Sequence, residues 1–420
     1  MTATIHSTID AVWRIESARI IAGVARLVRD VGLAEELAQD ALVAALEHWP
    51  NDGIPERPGA WLMATARHRA LDRLRQRKLT ERKHEELGRE VELAQELAAS
   101  ERDPALEDDI DDDLLRLMFV ACHPLLSPEA RTALTLRLLG GLTTGEIARA
   151  YLVAETTIAQ RIVRAKRTLS EARVPFEVPG AGERPERLAS VLEVIYLVFN
   201  EGYAATAGDD WMRPALCEEA LRLGRVLAEL APEEPEVHGL VALMELQASR
   251  ASARVGPGGE PILLLEQDRA RWNRLLIGRG LKALARADAL AAAPGPYALQ
   301  AAIAACHARA TTAQATDWTR IAALYDALLR VAPSPVVALN RAVAVAMAAG
   351  PAAGLALVEQ LASEPALADY HLLPAVRGDL FAKLGRNAEA AAEFERAASL
   401  TRNARERDVL RSRARDRRRG

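Results

Sequence analysis

Residues 142–169 hold the chain to one local geometry. Ile147 and Ala148 mark the inward face of a short helix, the stretch Tyr151, Leu152 and Val153 interrupts it, and Ile158, Ile162, Ala165 and Leu169 then recur at helical spacing. Two apolar stripes so closely joined have the pattern of a helix-turn-helix. The second helix opens with Glu155, Thr156 and Thr157, side chains short or polar enough to reach base edges, and carries Gln160, Arg161, Arg164, Lys166 and Arg167 where they meet bases or phosphates. A solvated basic helix in an ordinary bundle has the same composition, so the rest of the chain decides between the two.

At 420 residues the chain exceeds one domain of common size, and two to four are expected. Half of it is hydrophobic and only 4% aromatic, with Ala, Leu, Arg and Glu abundant, a composition of packed helices rather than sheets. The fold class expected is all-α. The formal net charge of -4 hides segregation: cations crowd residues 67–83, 161–173 and the stretch after Thr401, and acids crowd residues 85–113. Cys122, Cys217 and Cys306 lie far apart with no ligand spacing, so they read as small buried hydrophobes in a reducing compartment. Cys122-His123 lacks further ligands at useful spacing, and no metal or cofactor is expected. No signal-peptide pattern opens the sequence and no apolar run approaches a membrane span, which predicts a soluble cytoplasmic protein without membrane contact.

In chain order, Val12, Ile15, Ile20, Val24, Leu27 and Val28 predict a helix over 9–31, closed by Gly32. A second helix, 33–49, sets Leu37, Ala41, Leu42, Ala45 and Leu46 against a polar face of Glu35, Glu36, Gln39 and Asp40, and the stretch from Pro50 to Gly53 ends it. A third, 60–77, turns from apolar to basic. Two further helices, 114–126 and 129–139, precede the helix-turn-helix, with Ser127 as N-cap and Pro128 in the first turn of the latter.

Two blocks carry a family resemblance. Leu33 to Leu42 (LAEELAQDAL) and Trp61 to Arg75 (WLMATARHRALDRLR) resemble the first promoter-binding domain of extracytoplasmic-function (ECF) sigma factors, and the helix-turn-helix resembles the second. The resemblance spans about the first 175 residues. It implies sigma domain 2 at 8–84, an acidic linker at 85–113 and sigma domain 4 at 114–174. It implies that Glu36, Gln39 and Asp40 meet the β′ clamp helices of core RNA polymerase, and that the β flap is a further partner. It also implies that Trp61, Arg67, His68, Arg69, Arg73, Arg75 and Arg77 serve the −10 element of promoter DNA. Arg73, Arg75 and Arg77 suit phosphates, which set affinity and salt dependence. Trp61 heads the apolar stripe, which favours a core position over a stacking platform. A short break near Arg67–Arg69 would match the family's loop for a flipped-out base, and His68 stands where many members carry Asn. On the −35 side, Glu155, Thr156, Thr157, Gln160 and Arg161 are the base-reading candidates, and Arg164 and Lys166 contact the backbone. Leu152 stands where many helix-turn-helices prefer Gly. The acidic linker resembles the family segment that follows the path of nascent RNA, where its charge would mimic nucleic acid in a basic channel.

The Pro- and Gly-rich residues 174–186 read as a second linker. Beyond it, helices are expected near 187–201, 214–230 and 234–250, with another opening at Gln267 to Trp272, in a helical extension domain of 186–292. The stretch Gly256-Pro257-Gly258-Gly259 is not a phosphate loop, because no Gly-Lys-Ser/Thr follows. From Tyr297 the pattern repeats: Ala338–Ala346 with Gly350-Pro351 is echoed by Pro374–Gly385 and Ala388–Ala397, a period near 34 that looks like tetratricopeptide (TPR) repeats over 296–402, before a basic tail at 403–420. Such stacks usually present a protein-binding surface, and a protein partner is expected on them. The whole pattern resembles the sigma-factor group with a TPR-like extension, which implies that this half replaces a separate anti-sigma factor or is required for activity. The competing reading is a stand-alone helix-turn-helix regulator with a TPR sensor. No nucleophile-base, metal or phosphate-loop constellation points to an enzyme.

Overall fold

The computed structural model describes residues 2–82 and 106–419, which form helices and turns with two isolated β-bridges and no strand among them. Two compact units divide the chain, Met1–Ile195 and Tyr196–Gly420.

In the first unit, α1 (Thr2–Val28) buries Ile20, Ile21, Val24 and Ala25 and packs against α2 (Val31–Asp52), α3 (Pro58–Arg82) and α4 (Leu106–Ala121). The turn after α1 differs from the sequence expectation. Arg29 takes the left-handed conformation at φ 53°, and Asp30 caps α2 by accepting from the amides of Gly32 and Leu33, so Gly32 lies inside the next helix rather than closing the first. Pro50 falls within the last turn of α2, and Gly53, at φ 89°, ends it. The expected break at Arg67–Arg69 is not present: α3 runs through it, because Ala66 and Ala70 continue the stripe of Leu62 into the core. Most of the acidic linker lies outside the described residues, while its last residues form the first turns of α4.

The helices α5 (Pro128–Leu138), α6 (Thr144–Tyr151) and α7 (Glu155–Glu171) follow. Ser127 accepts from the Ala130 amide at 3.3 Å with Pro128 in the first turn, as the sequence predicts. Thr143 and Glu146 close a reciprocal capping box on α6, and Leu152 adopts φ 52° at its end, the left-handed position where Gly is usual. The helix α8 (Arg184–Tyr203) starts beside α5: Arg131 donates to Ser190 and pairs with Glu193 at 3.0 Å, and Ser190 donates to the Cys122 carbonyl at 2.5 Å.

The second unit continues with α9 (Pro214–Leu230), α10 (Pro235–Ala248), α11 (Arg274–Leu290), α12 (Pro296–Arg309), α13 (Trp318–Val331), α14 (Pro335–Ala349), α15 (Pro351–Leu361), α16 (Leu372–Lys383), α17 (Asn387–Leu400) and α18 (Ala404–Arg419). Residues 267–272, expected to open a helix, form a single 3₁₀ turn at Arg269–Arg271, and α11 starts after it with Asn273 as cap. From α12 onward each helix packs on the next, the contact pattern of a repeat stack. Small residues let the pairs approach. An added Cβ at Gly354 would lie 2.3 Å from the Ala346 Cβ, and one at Gly378 would lie 2.8 Å from the Phe394 ring. The stretch read as a basic tail is helical: α18 buries Leu410 and Ala414, and Arg413 reaches Asp379 at 2.6 Å across the Phe394 ring. Just before it Asn403, 1% exposed, donates to the carbonyls of Ala205 at 3.2 Å and Asp210 at 2.9 Å, and the Ala404 amide donates to Gly208. The end of the second unit is thereby sewn to its beginning.

Candidate nucleic-acid interface

The helix α7 divides by burial. Ile158, Ile162, Ala165 and Leu169 face the core, whereas Glu155, Thr156, Thr157, Gln160 and Arg164 are exposed and Arg161 is half-buried. It opens at Ala154 without a side-chain cap, so no side chain of the cap residue competes for its first amides. Glu155 accepts from the Thr144 hydroxyl at 3.0 Å, which fixes α7 against α6. A groove of ≈ 370 Å³ beside α7 is lined in part by Thr157, Gln160, Arg161 and Arg164. Glu129 stands nearby, its carboxyl held below the ordinary range first by the Ser127 hydroxyl and its own backbone, with Arg161 contributing. Lys166 departs from this set. Half-buried, it pairs with Glu35 of α2, and so it is not presented with the other cations of α7.

On α3, His68, Arg73 and Arg75 are exposed, with Arg75 3.2 Å from Asp72 one turn away. Arg67 is half-buried, and the side chain of Arg77 lies outside the described residues. Trp61 is also half-buried and meets Trp49 edge-on, with ring centroids 5.5 Å apart, consistent with a packing position. Arg69 pairs with Asp40 at 3.4 Å and thereby links a candidate for the −10 element to a candidate for the polymerase. Of the other two polymerase candidates, Glu36 is exposed and Gln39 donates to Glu35 at 2.5 Å.

Sequence patterning misplaced Ile15 of the α1 stripe, which is 69% exposed, and on α2 it misplaced Glu35. Assigned to the polar face of α2, it is only 3% exposed and receives Arg137 of α5 at 2.6 Å as well as Lys166. Three more contacts join the first three helices to the later ones: Arg14–Glu146 at 2.9 Å, Ser170–Asp30 at 2.9 Å, and Arg26–Asp113 at 3.4 Å with Asp113 buried. Among these residues a sequence signal existed only for Glu146, in the capping box, and Asp30, the N-cap; their partners lie more than a hundred residues off.

All three cysteines are free and buried, and burial raises Cys122 to about 11 and Cys217 to about 12. No group of residues that could hold a metal ion occurs among the described residues, and no helix there is long and apolar enough to cross a membrane.

Comparison with known proteins resolves the family. Residues 15–80 match the model for sigma-70 region 2 and residues 116–169 that for sigma-70 region 4, while residues 187–288 match a family of unknown function, DUF6596. Uncharacterized protein R00370 of Rhizobium meliloti (strain 1021) is 45% identical over 394 residues, covering 92% of this chain and 90% of its own. The ECF RNA polymerase sigma factor SigK of Mycobacterium ulcerans (strain Agy99) is 31% identical over 156 residues, covering 36% of this chain and 78% of its own. The probable ECF RNA polymerase sigma factor SigI of Mycobacterium tuberculosis (strain ATCC 25618 / H37Rv) is 26% identical over 179 residues, 43% of this chain and 60% of that protein. With both sigma-70 regions in order on the helices described above and a helical second half behind them, the chain belongs to the ECF family of sigma-70-type RNA polymerase sigma factors.

Proposed function

We propose that the chain directs core polymerase to its promoters through three surfaces. The exposed acid Glu36, with Gln39 and Asp40, meets the β′ clamp helices; His68 and the arginines of α3 serve the −10 element; and Thr156, Thr157, Gln160 and Arg161 read the −35 element, with Arg164 on the backbone. The observation that carries the reading is the division of α7, which buries its apolar stripe and leaves Thr156, Thr157 and Gln160 exposed and Arg161 half-buried.

The arrangement of the first unit belongs to a state before promoter engagement. The two elements, as their names count, lie about 25 base pairs apart, roughly 85 Å along B-form DNA. With α2 and α7 joined through Glu35 and Lys166, one duplex does not meet both surfaces at once, so this clasp opens on the promoter. Lys166 then becomes available to phosphate.

The second unit is assigned control of activity, with its TPR-like stack as the surface for a protein partner. The long repeat-like packing of α12 to α18 supports that role. The test is reconstituted run-off transcription with core polymerase, comparing the full chain with one ended after Ile195. Cutting at Pro185 instead would remove Ser190 and Glu193, which hold Arg131. Failure to bind core polymerase would overturn the promoter reading. Equal transcription by both chains would overturn only the control reading.

A further inference from the structure

The second unit contains an alternating ladder of aromatic rings and guanidinium groups. Arg254 lies 5.6 Å from the Trp211 ring centroid and 3.4 Å from that of Tyr203; Arg250 lies 5.8 Å from both Tyr203 and Trp272; Arg269 lies 4.7 Å from Trp272. Arg254 is 7% exposed and Arg269 8%.

Their hydrogen-bond acceptors are all neutral. Arg254 donates to the Tyr203 carbonyl, and Arg250 to the Tyr203 hydroxyl and Gln247. Arg269 donates to the carbonyls of His307 and Ala310 and to the Thr316 hydroxyl. Among the described residues none of the three has a carboxylate partner, whereas Arg213, Arg225 and Arg377 of the same unit pair with Glu201, Glu245 and Glu393. Burial in the first place, and Arg250 in addition, lower the proton affinity of both Arg254 and Arg269, so each of the two feels the Arg250 cation. Donors are also left over: Arg269 Nε and the Nε1 of Trp272, itself 3% exposed, have no acceptor, and His307 Nδ1 has no partner.

We propose that Arg250, Arg254 and Arg269, with the indole N–H of Trp272, form a binding site for a small oxyanion of the phosphate class. Such an ion supplies the missing negative charge and several acceptor oxygens at once, and guanidinium groups match its geometry. The depth of Arg254, Arg269 and Trp272 excludes a nucleic-acid backbone or a protein surface as the source. Arg250 and Tyr203 remain half-exposed and give solvent a way to the cluster. The site stands independently of promoter recognition and of the controlling role assigned to this half.

The test uses the full chain at constant ionic strength. With six tryptophans in the sequence, indole N–H resonances of tryptophan-labelled protein are few, and Trp272→Phe, which keeps a ring on the ladder, assigns one of them. Titration with inorganic phosphate is expected to move the Trp272 resonance saturably and to raise the melting temperature, with chloride doing neither. Arg250→Gln, which retains a donor for Tyr203, should weaken phosphate binding by roughly tenfold or more. A phosphate monoester such as glycerol phosphate binding more tightly identifies an ester as the ligand, and the reverse order identifies free phosphate; both support the site. An unmoved Trp272 resonance, equal effects of phosphate and chloride, or unchanged affinity in Arg250→Gln would overturn it. Should Trp272→Phe not fold, the melting temperatures of wild type and Arg250→Gln decide alone.

Discussion

Glu35 and Arg137 stand 102 residues apart in the chain and meet at 2.6 Å, with the Glu35 carboxylate 3% exposed and shared by Lys166. An acid so placed is costly unless both cations are kept, and removing its charge leaves two cations facing a neutral amide. Glu35→Gln should weaken the contact between the two sigma domains by about 3 kcal/mol. The expected outcome is a longer distance between fluorophores on α2 and α7, and at least a severalfold gain in affinity of the free protein for a −35 duplex. Unchanged distance and affinity would remove the clasp as a barrier to DNA.

The roles proposed for Arg161 and Arg164 separate base reading from backbone contact. Arg161→Ala should reduce discrimination between the target and a scrambled duplex by about 1–3 kcal/mol. Arg164→Ala should weaken both duplexes alike and lower the salt slope of binding by about one. Anisotropy titrations on both duplexes at several salt concentrations distinguish the two, and equal losses on both duplexes for Arg161→Ala would contradict base reading.

Asn403 closes the second unit through two side-chain hydrogen bonds to the Ala205 and Asp210 carbonyls. Asn403→Ala strands these acceptors and should cost about 2 kcal/mol. Scanning calorimetry on the full chain should show a lower transition for this unit, with that of the first unit in place. A single unshifted melting profile would mean that closure contributes little.

His307, 9% exposed, has its ring pushed down to about 4 from an ordinary 6.5, by burial first and then by Arg250 and Arg269. Between those values the unfolded chain binds more protons than the folded one. The stabilising effect of a neutral ring is therefore complete above about 6.5 and is lost as pH falls towards 4. The loss amounts to roughly 3 kcal/mol at most, at about 1.4 kcal/mol per unit. Urea unfolding at neutral pH and at about pH 4.5 should show a smaller difference for His307→Gln than for wild type; equal differences would assign the acid sensitivity elsewhere.

Local periodicity carried the sequence reading where a helix has one wet and one dry face. The stripe Ile158, Ile162, Ala165 and Leu169 is buried as its spacing implies, and the Ser127 cap depends only on its next residues. Glu35 was illegible because its partners come from α5 and α7, and no local rule distinguishes it from the exposed Glu36 beside it. The turn at Arg29 was misread for a related reason: Gly32 is the stronger breaker in isolation, but the Asp30 cap made it part of α2. The arginine ladder was invisible as well, since Tyr203, Arg254 and Trp272 become neighbours only when α8, the turns after α10 and the start of α11 come together. For the same reason α18 looked like a tail: three of its last four described residues are arginine, and only Leu410 and Ala414 report the packed side.

The stitch at Asn403 also has a consequence during synthesis. A ribosome releases both sigma domains long before it reaches Asn403, so the nascent chain holds a finished promoter-reading half while the loop at Ala205–Asp210 still lacks its lock. Completion of the second half is therefore tied to translation through Asn403. Chains that stop before Asn403 keep the helices that match the sigma-70 regions but leave that loop unfastened, the kind of local opening on which proteases act.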